Sequence, residues 1–350
     1  MDYMAPRWLP GGNLQTIWAA LYARRFDGPA PVYRRERWPT PDGDFIDVDF
    51  VDAPAASLAE GPAPLLVLFH GLEGSSRSHY AEAFATFAAA QGMAFAVPHF
   101  RGCSGELNLA PRAYHSGDFE EIGWILARMR KQHVATGGGP VLAAGVSLGG
   151  NALMRWASEA GETAAGMVGA VASVCAPLDL AAGGEAIGRG FNKLVYTRMF
   201  LATMKPKALA KLAQFPGLFD RERLMSARNL HDFDNVFTAP LHGFRDVADY
   251  WSRGSAKPHL ASIRVPALVV NARNDPFIPA ASLPRPGEVG SHVMLWQPAH
   301  GGHVGFPMGL PPGHVQGMPQ RVGSWLQLHG GTGGKGGTLA DGAGLRTGRE

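Results

Sequence analysis

A serine between glycines is the first residue in this chain whose surroundings suggest chemistry. The motif GVSLG (145–149) ends the apolar run VLAAGV and opens the helical pattern LGGNALMRWASEA. Because the chain has 46 glycines in 350 residues, such a motif arises by chance about 0.3 times. Its place between a strand and a helix is stronger evidence, since a nucleophile turn needs small residues on both sides of the serine. Ser147 is the predicted nucleophile, and a glycine-rich turn with an incidental serine is the alternative.

A serine hydroxyl needs a base to take its proton and an acid to orient that base. Asp275 follows the apolar run ALVVNA in the loop RNDPFIP and is the predicted acid, although Asp-Pro also occurs in plain turns. The base comes from PAHGGHVGFP, which follows another apolar run and holds His300 and His303. Serine, acid and histidine then stand in the chain order of a strand-end triad. Both histidines remain candidates at this point.

The same two histidines could instead bind a metal. Ligands three residues apart suit a helix, but Gly301 and Gly302 disfavour a helix here, and zinc needs a third ligand. We therefore predict no metal site, and the triad chemistry requires no organic cofactor.

Backbone N–H groups that could stabilise a developing oxyanion are expected near the serine. The segment FHGLEGSS follows the apolar run LLVLF. Gly71 permits a sharp turn that would direct the N–H of Leu72 toward Ser147, with an ordinary strand-end turn as the alternative. The N-terminus of the helix after Ser147 adds its dipole and its free N–H groups.

Alternating strands and helices must position these groups. Two hairpin strands, VYRRERWPT and DFIDVDFVD, precede apolar runs at 65–69, 94–98, 141–146, 169–177, 267–272 and 292–298. Helices are predicted at Leu14–Tyr22, 79–91, 116–132 (Ser116 or Asp118 as N-cap), 148–160 and 320–328. Buried runs joined by helical crossovers predict an α/β fold with a mostly parallel sheet and helices on both faces.

The segment 178–263 has no convincing strand and is too long for one crossover, which predicts an inserted helical cap. We expect a single domain over residues 1–330, with the cap inside it, and a disordered Gly-rich tail over 331–350. Within the cap, the apolar stripe FNKLVYTRMFLATM (191–204) has two interpretations. It either packs on the core or lines a pocket for an acyl chain.

Composition limits the class of protein. The chain is 46% hydrophobic with a formal charge of +3, so no nucleic-acid partner is predicted. It has no convincing signal peptide and no apolar stretch long enough for an integral membrane segment. We expect a cytoplasmic location and leave peripheral membrane attachment open.

Four further residues are expected to have structural roles. Cys103 and Cys175 are expected to be reduced thiols, with Cys103 in a packing role, and Arg101 and Glu106 are expected to be structural.

Together the motifs resemble one family, the YheT-like α/β-hydrolases, which include bacterial members, yeast ethanol acyltransferase/esterases and animal lipid hydrolases. The matching segments lie between residue 13 and about residue 328 and are NLQTIWAAL, HGLEGSSRSHY, HFRGCSGELN, RAYHSGD, GVSLGGNAL, NDPFIP and HGGHVGF. The resemblance implies an α/β-hydrolase fold with Ser147 as nucleophile, Asp275 as acid and His303 as base. It also implies that the N–H groups of Leu72 and Leu148 form the oxyanion hole.

The chain departs from the family pattern at one position. The family often has a second Asp before the acid, where this chain has Asn274, so Asp275 is the remaining carboxylate. His300 is then expected to be structural and bonded to backbone.

The expected activity is that of a serine carboxylesterase acting on small-molecule esters with short or medium acyl chains. Acyl transfer to an alcohol through the same triad and a non-catalytic binding module are the alternatives.

Overall fold

An eight-stranded sheet forms the centre of the structure, a computed structural model that describes residues 3–54 and 61–331. The strand order is β1-β2-β4-β3-β5-β6-β7-β8. The strands are β1 (Arg34–Pro39), β2 (Phe45–Val51), β3 (Leu65–Phe69), β4 (Ala94–Pro98), β5 (Val141–Val146), β6 (Ala170–Val174), β7 (Ala267–Val270) and β8 (Val293–Trp296). β1 pairs antiparallel with β2, and β2 pairs antiparallel with β4, whereas β3 to β8 run parallel. The predicted hairpin and mostly parallel sheet are confirmed.

Helices cover both faces of this sheet. They are α1 (Gly12–Leu21), α2 (His79–Ala90), α3 (Phe119–Ala135), α4 (Leu148–Ala160), α5 (Leu180–Ile187), α6 (Gly190–Asn192), α7 (Arg198–Gln214), α8 (Arg221–Ser226), α9 (Leu230–Val236), α10 (Thr238–Leu241), α11 (Val247–Gly254) and α12 (Gly317–Gly330). A single π turn, Lys193–Thr197, joins α6 to α7.

The apolar strands are buried from two sides. In β3, Val67 belongs to a core shared with α3 and α4, while Leu66 and Leu68 belong to a second core shared with α2 and α12. Successive side chains of a strand point to opposite faces, so a strand covered on both faces must be apolar throughout. This burial explains why continuous apolar runs located the central strands.

The start of α3 differs from the predicted one. Its N-cap is Asp118, whose side chain accepts a hydrogen bond from the Glu121 N–H at 3.4 Å, so the helix begins at Phe119 and not at 116. Ser116 is bound elsewhere, because its N–H donates to the Tyr250 hydroxyl at 2.9 Å. Of the two predicted N-caps, only Asp118 fills that position.

Residues 178–263, all of them described, contain helices and turns and no strand, and we call them the helical insertion. They connect β6 to β7. The insertion has a small apolar core of its own, built around Leu201, Leu224, Phe233 and Phe237. Residues 332–350, which make up nearly all of the predicted tail, lie outside the described residues. Within the described part of the chain, no helix has the length and apolar character needed to cross a membrane.

A half-buried carboxylate joins three helices of the insertion. Asp234 on α9 accepts hydrogen bonds from Trp251 Nε1 at 2.9 Å and from the Thr238 hydroxyl at 2.7 Å. Burial nevertheless raises the pKa of Asp234 from about 3.8 to about 6. The folded state therefore favours the protonated acid, and ionisation at neutral pH reduces stability.

We predict that Asp234→Asn removes this pH dependence, because the neutral amide can accept the Trp251 N–H with its oxygen and donate to the Thr238 hydroxyl oxygen with its nitrogen. In the unmodified protein, the contribution of Asp234 is fully present below pH 3.8 and is lost as the pH rises through about 6. The Tm of the variant should exceed that of the parent at pH 7.5, and the difference should vanish near pH 4. Thermal unfolding measured across this range provides the check, and a variant that is less stable at pH 7.5 would contradict the assignment.

Candidate active site

Ser147 lies in a strained turn between β5 and α4. Its backbone has φ 52° and ψ −120°, which non-glycine residues rarely adopt. A Cβ on Gly145 would lie 2.4 Å from the Gly149 carbonyl oxygen, and a Cβ on Gly149 would lie 2.5 Å from the carbonyl oxygens of Phe69 and His70. Only glycine fits at either position, so these neighbours permit the close packing that holds the serine at the carboxyl edge of the sheet.

The three predicted triad residues lie within hydrogen-bonding distance of one another. His303 Nε2 is 3.0 Å from Ser147 Oγ, and His303 Nδ1 is 2.9 Å from Asp275 Oδ2. The second carboxylate oxygen, Asp275 Oδ1, accepts the N–H of Phe277 at 2.8 Å. Since a carboxylate accepts a hydrogen bond, Nδ1 carries the proton and Nε2 is left to accept the serine hydroxyl proton.

Packing fixes the plane of the imidazole ring. The Phe277 ring stacks on that of His303, with centroids 4.1 Å apart and an interplanar angle of 30°. The side chain of Asp275 is fully buried, and that of His303 is 10% exposed. The hydrogen-bonded pair is therefore shielded from water, while Ser147 remains partly open.

His300 lies apart from this group. It is exposed, and its Nδ1 is 3.5 Å from Asn274 Nδ2. The expected backbone hydrogen bond of His300 is wrong, because no such bond is present among the described residues. Of the two histidines, only His303 reaches the serine.

Helix α1 supplies two residues that sequence reasoning missed. The Thr16 hydroxyl accepts the His303 N–H at 2.8 Å, and Gln15 Oε1 accepts the Gly301 N–H at 2.9 Å and an Asn274 amide N–H at 3.0 Å. Asn274 in turn accepts the Gly302 N–H at 3.0 Å. Both α1 side chains are buried although they are polar, at the centre of the motif NLQTIW. The signal that could have identified these two residues was the presence of polar side chains on the packing face of a short helix.

Gly302 permits close packing of the histidine loop. A Cβ on Gly302 would lie 2.7 Å from the Gly12 carbonyl oxygen and 2.8 Å from the Thr16 hydroxyl. Gly302 also has φ 63°, a value that favours glycine. The histidine loop is thus pressed against α1.

The two predicted oxyanion donors flank the serine. Leu148 is the first residue of α4, and a Cβ on Gly71, which precedes Leu72, would lie 3.2 Å from Ser147 Cβ. Among the described residues, neither the Leu72 nor the Leu148 N–H has a hydrogen-bond acceptor. Two unpaired N–H groups beside one hydroxyl are the arrangement that an oxyanion requires.

The peptide group that carries the Leu72 N–H is held from its other end. The Gly71 carbonyl accepts the Gly74 N–H at 2.9 Å and lies 2.7 Å from His70 Nδ1. His70 Nε2 accepts the Phe100 N–H at 3.0 Å, so the ring proton is on Nδ1 and is donated to the Gly71 carbonyl. Burial, with a contribution from His99, lowers the pKa of His70 to about 3. His70 is therefore a neutral donor that orients the peptide throughout the physiological pH range.

Three potential metal-ligand atoms lie close together, and two of them belong to the triad itself. Among the described residues, Cys175, Asp275 and His303 place one such atom each within 4.8 Å of one another. The sulfur of Cys175 accepts the Val304 N–H at 3.3 Å, and burial raises the pKa of this thiol well above its ordinary value. All three groups have partners within the protein, and Cys175 supports the histidine loop as a neutral thiol. Both cysteines are free, as predicted.

The structural roles expected for Arg101 and Glu106 fit their contacts. Arg101 is buried and pairs with Asp44 at 2.8 Å and with Glu121 at 2.6 Å. Glu106 pairs with Arg37 at 2.7 Å. Neither residue contacts the triad.

An apolar cavity opens at Ser147 and His303. It encloses about 1170 Å³, including the space open to solvent. The insertion supplies much of its wall, including Ile187, Phe200, Met204, Leu230, Phe233 and Trp251. Of the stripe 191–204, Tyr196 and Leu201 are buried while Phe200 and Met204 line the cavity. The packing interpretation therefore holds for Tyr196 and Leu201, whereas Phe200 and Met204 face the cavity, where an acyl chain stays a prediction.

Comparison with known proteins identifies the family of this chain. Residues 64–309 match the model for the alpha/beta hydrolase fold. The chain is 36% identical to the putative esterase YheT of Escherichia coli over 94% of both chains, and 30% identical to mouse phospholipase ABHD3 over 81% of this chain and 69% of that protein. An esterase of Pyrococcus furiosus has a similar fold, with 17% identity and a TM-score of 0.53 over 88% of this chain and 98% of that one. The chain belongs to the α/β-hydrolase family, in its YheT-like branch.

Proposed function

We propose that this protein is a serine hydrolase that cleaves carboxylic esters with short or medium acyl chains. The observation that carries the proposal is the hydrogen-bonded chain from Ser147 through His303 to Asp275. In this proposal Ser147 is the nucleophile, His303 the base and Asp275 the acid that orients it.

Acylation begins when Ser147 Oγ attacks the ester carbonyl carbon and His303 Nε2 takes the hydroxyl proton. Asp275 stabilises the resulting imidazolium and keeps its ring in place. The N–H groups of Leu72 and Leu148 bind the oxyanion of the tetrahedral intermediate. The intermediate collapses to the acyl-enzyme when the C–O bond breaks and His303 returns the proton to the departing alcohol.

Deacylation repeats these steps with water. His303 takes a proton from water as its oxygen attacks the acyl carbon, and the same two N–H groups bind the second oxyanion. Collapse releases the carboxylic acid, and His303 returns the proton to Ser147. This sequence requires neither a metal nor an organic cofactor.

The helical insertion acts in this proposal as a cap within the single domain 1–330. Its side chains make the wall next to Ser147 apolar, which suits an acyl chain more than a charged substrate. The relatives support an ester substrate, since they include a putative esterase and a phospholipase.

We predict that Ser147→Ala lowers kcat for p-nitrophenyl butyrate by at least about 10³-fold, because the nucleophile is lost. Labelling by a fluorophosphonate probe should disappear as well. Cys103→Ala is the matched control, because this thiol lies outside the triad, and it should keep its labelling. Retained activity in folded Ser147→Ala would contradict the mechanism.

Product analysis distinguishes hydrolysis from acyl transfer. Products measured in the presence of ethanol should be free acid, and an ethyl ester as main product would indicate acyl transfer instead.

His303→Ala and His300→Ala should differ sharply. Loss of the base should reduce kcat by about 10³-fold or more, while the exposed His300 should be replaceable with a stability change below about 0.5 kcal/mol. Steady-state kinetics and thermal unfolding of both variants test this difference. Equal losses of kcat would mean that the base is misassigned.

Thr16→Val should reduce kcat without a comparable change in KM. The isosteric valine leaves the His303 N–H unpaired, which costs about 1–3 kcal/mol and allows the histidine loop to shift. Thr16→Ser keeps the hydroxyl and should restore most of kcat. A merely structural role would be indicated if both variants lost stability but kept kcat.

A further inference from the structure

Four apolar residues of the stripe 191–204 neither pack in the core nor line the cavity. Phe191, Leu194, Val195 and Met199 are 51%, 73%, 37% and 53% exposed, respectively. They follow the spacing i, i+3, i+4 and i+8, which places them on one side of a continuous helical segment. We call these four residues the outward face. Single exposed apolar side chains are ordinary, but four on one helical side form a patch.

The charged residues in the chain segment that holds the outward face have one sign. Residues 186–219 contain six Lys or Arg and no Asp or Glu. Two of these cations, Lys193 and Arg198, lie between residues of the outward face and are exposed, and neither has an ion-pair partner among the described residues. By contrast, Lys207 pairs with Glu73 at 2.9 Å and Lys211 bonds two backbone carbonyls. The charges next to the outward face are thus available for an external anion.

The opposite side of the same helix forms the cavity wall. Phe200 and Met204 line the cavity that opens at Ser147. One helix therefore separates the outward face from the candidate active site by its own thickness. Whatever contacts the outward face is held beside the wall of the cavity.

We propose that the outward face, with Lys193 and Arg198, docks on a lipid surface that carries anionic headgroups. A helix lies in a membrane interface when its apolar side chains enter the acyl boundary and its cations meet lipid phosphates. The sign of the charge favours this surface over a neutral protein partner with an apolar groove, and over a second copy of this chain, whose outward face has the same positive charge. The docking does not depend on the proposed esterase activity.

Vesicle co-sedimentation of the full chain tests the proposal. The vesicles are phosphatidylcholine alone or phosphatidylcholine with about 30 mol% phosphatidylglycerol. The charge variant is Lys193→Glu with Arg198→Glu, and its control is Lys131→Glu with Arg273→Glu, two exposed cations elsewhere that have no ion pair among the described residues. The apolar variant is Leu194→Ser with Met199→Ser, and its control is Leu310→Ser with Leu328→Ser, which are also exposed.

We expect the parent to bind the anionic vesicles in a salt-sensitive manner and to bind phosphatidylcholine much less. The charge variant should bind at least about 25-fold more weakly, since each basic residue near the surface contributes about fivefold and its replacement by Glu adds repulsion. The apolar variant should also bind weakly, while both controls should match the parent. All four variants should keep the parent's turnover of p-nitrophenyl acetate, and Ser147→Ala should bind vesicles as the parent does.

Three results would overturn the proposal. The first is that the parent fails to bind anionic vesicles at low salt, and the second is that the outward-face variants and their controls weaken binding equally. The third is that the parent is dimeric by light scattering and the apolar variant is monomeric, because a second copy would then cover the outward face. Retained esterase activity in Ser147→Ala with unchanged vesicle binding would overturn the proposed mechanism and leave the docking standing, so the two proposals can fail separately.

Discussion

The backbone strain at Ser147 is the constraint from which the rest of the site is arranged. A residue held in such a conformation costs on the order of 1–3 kcal/mol, so the surrounding structure has to enforce it. The Ser147 N–H donates to the Val174 carbonyl oxygen at 2.8 Å, which ties the turn to β6. On the other side, Gly149 lies against the backbone at the end of β3. The turn is therefore clamped between two parallel neighbours of β5, and the oxyanion loop after β3 is brought against it by the same contact.

The histidine loop is held by a different part of the chain. Strand β8 ends at Trp296, and His303 stands seven residues later, beyond the reach of the sheet's hydrogen bonds. Helix α1 supplies the missing support through Gln15 and Thr16, which satisfy the backbone N–H groups of Gly301 and His303. Because a buried, unpaired N–H is costly, the loop has few alternative conformations while α1 is docked. A segment near the start of the chain thus determines the position of a side chain near its end.

Sequence predicted the parts of the site that follow from local pattern. Continuous apolar runs located the central strands because both faces of the sheet are covered, and Ser147 and Asp275 each follow such a run. The residue types could not separate His300 from His303, since the difference depends on which ring reaches across to another loop. Gln15 and Thr16 were missed because the histidine-loop groups that they bind are backbone N–H groups almost three hundred residues away, and such partners leave no signal in residue type. The start of α3 was misplaced because Ser116 is used in contacts with Tyr250 and Asn151.

The stripe 191–204 shows the same limit in another form. Periodicity reports how many sides of a helix are apolar but does not report what covers each side. Here one side meets the insertion core, a second meets the cavity, and the outward face meets solvent. Leaving that last side in solvent adds nothing to stability, because its apolar surface is exposed in the unfolded chain as well and the buried and cavity-lining residues already provide the packing. An apolar side that folding does not require, bordered by cations without acidic neighbours, is better explained by a contact outside the chain than by the needs of the chain itself.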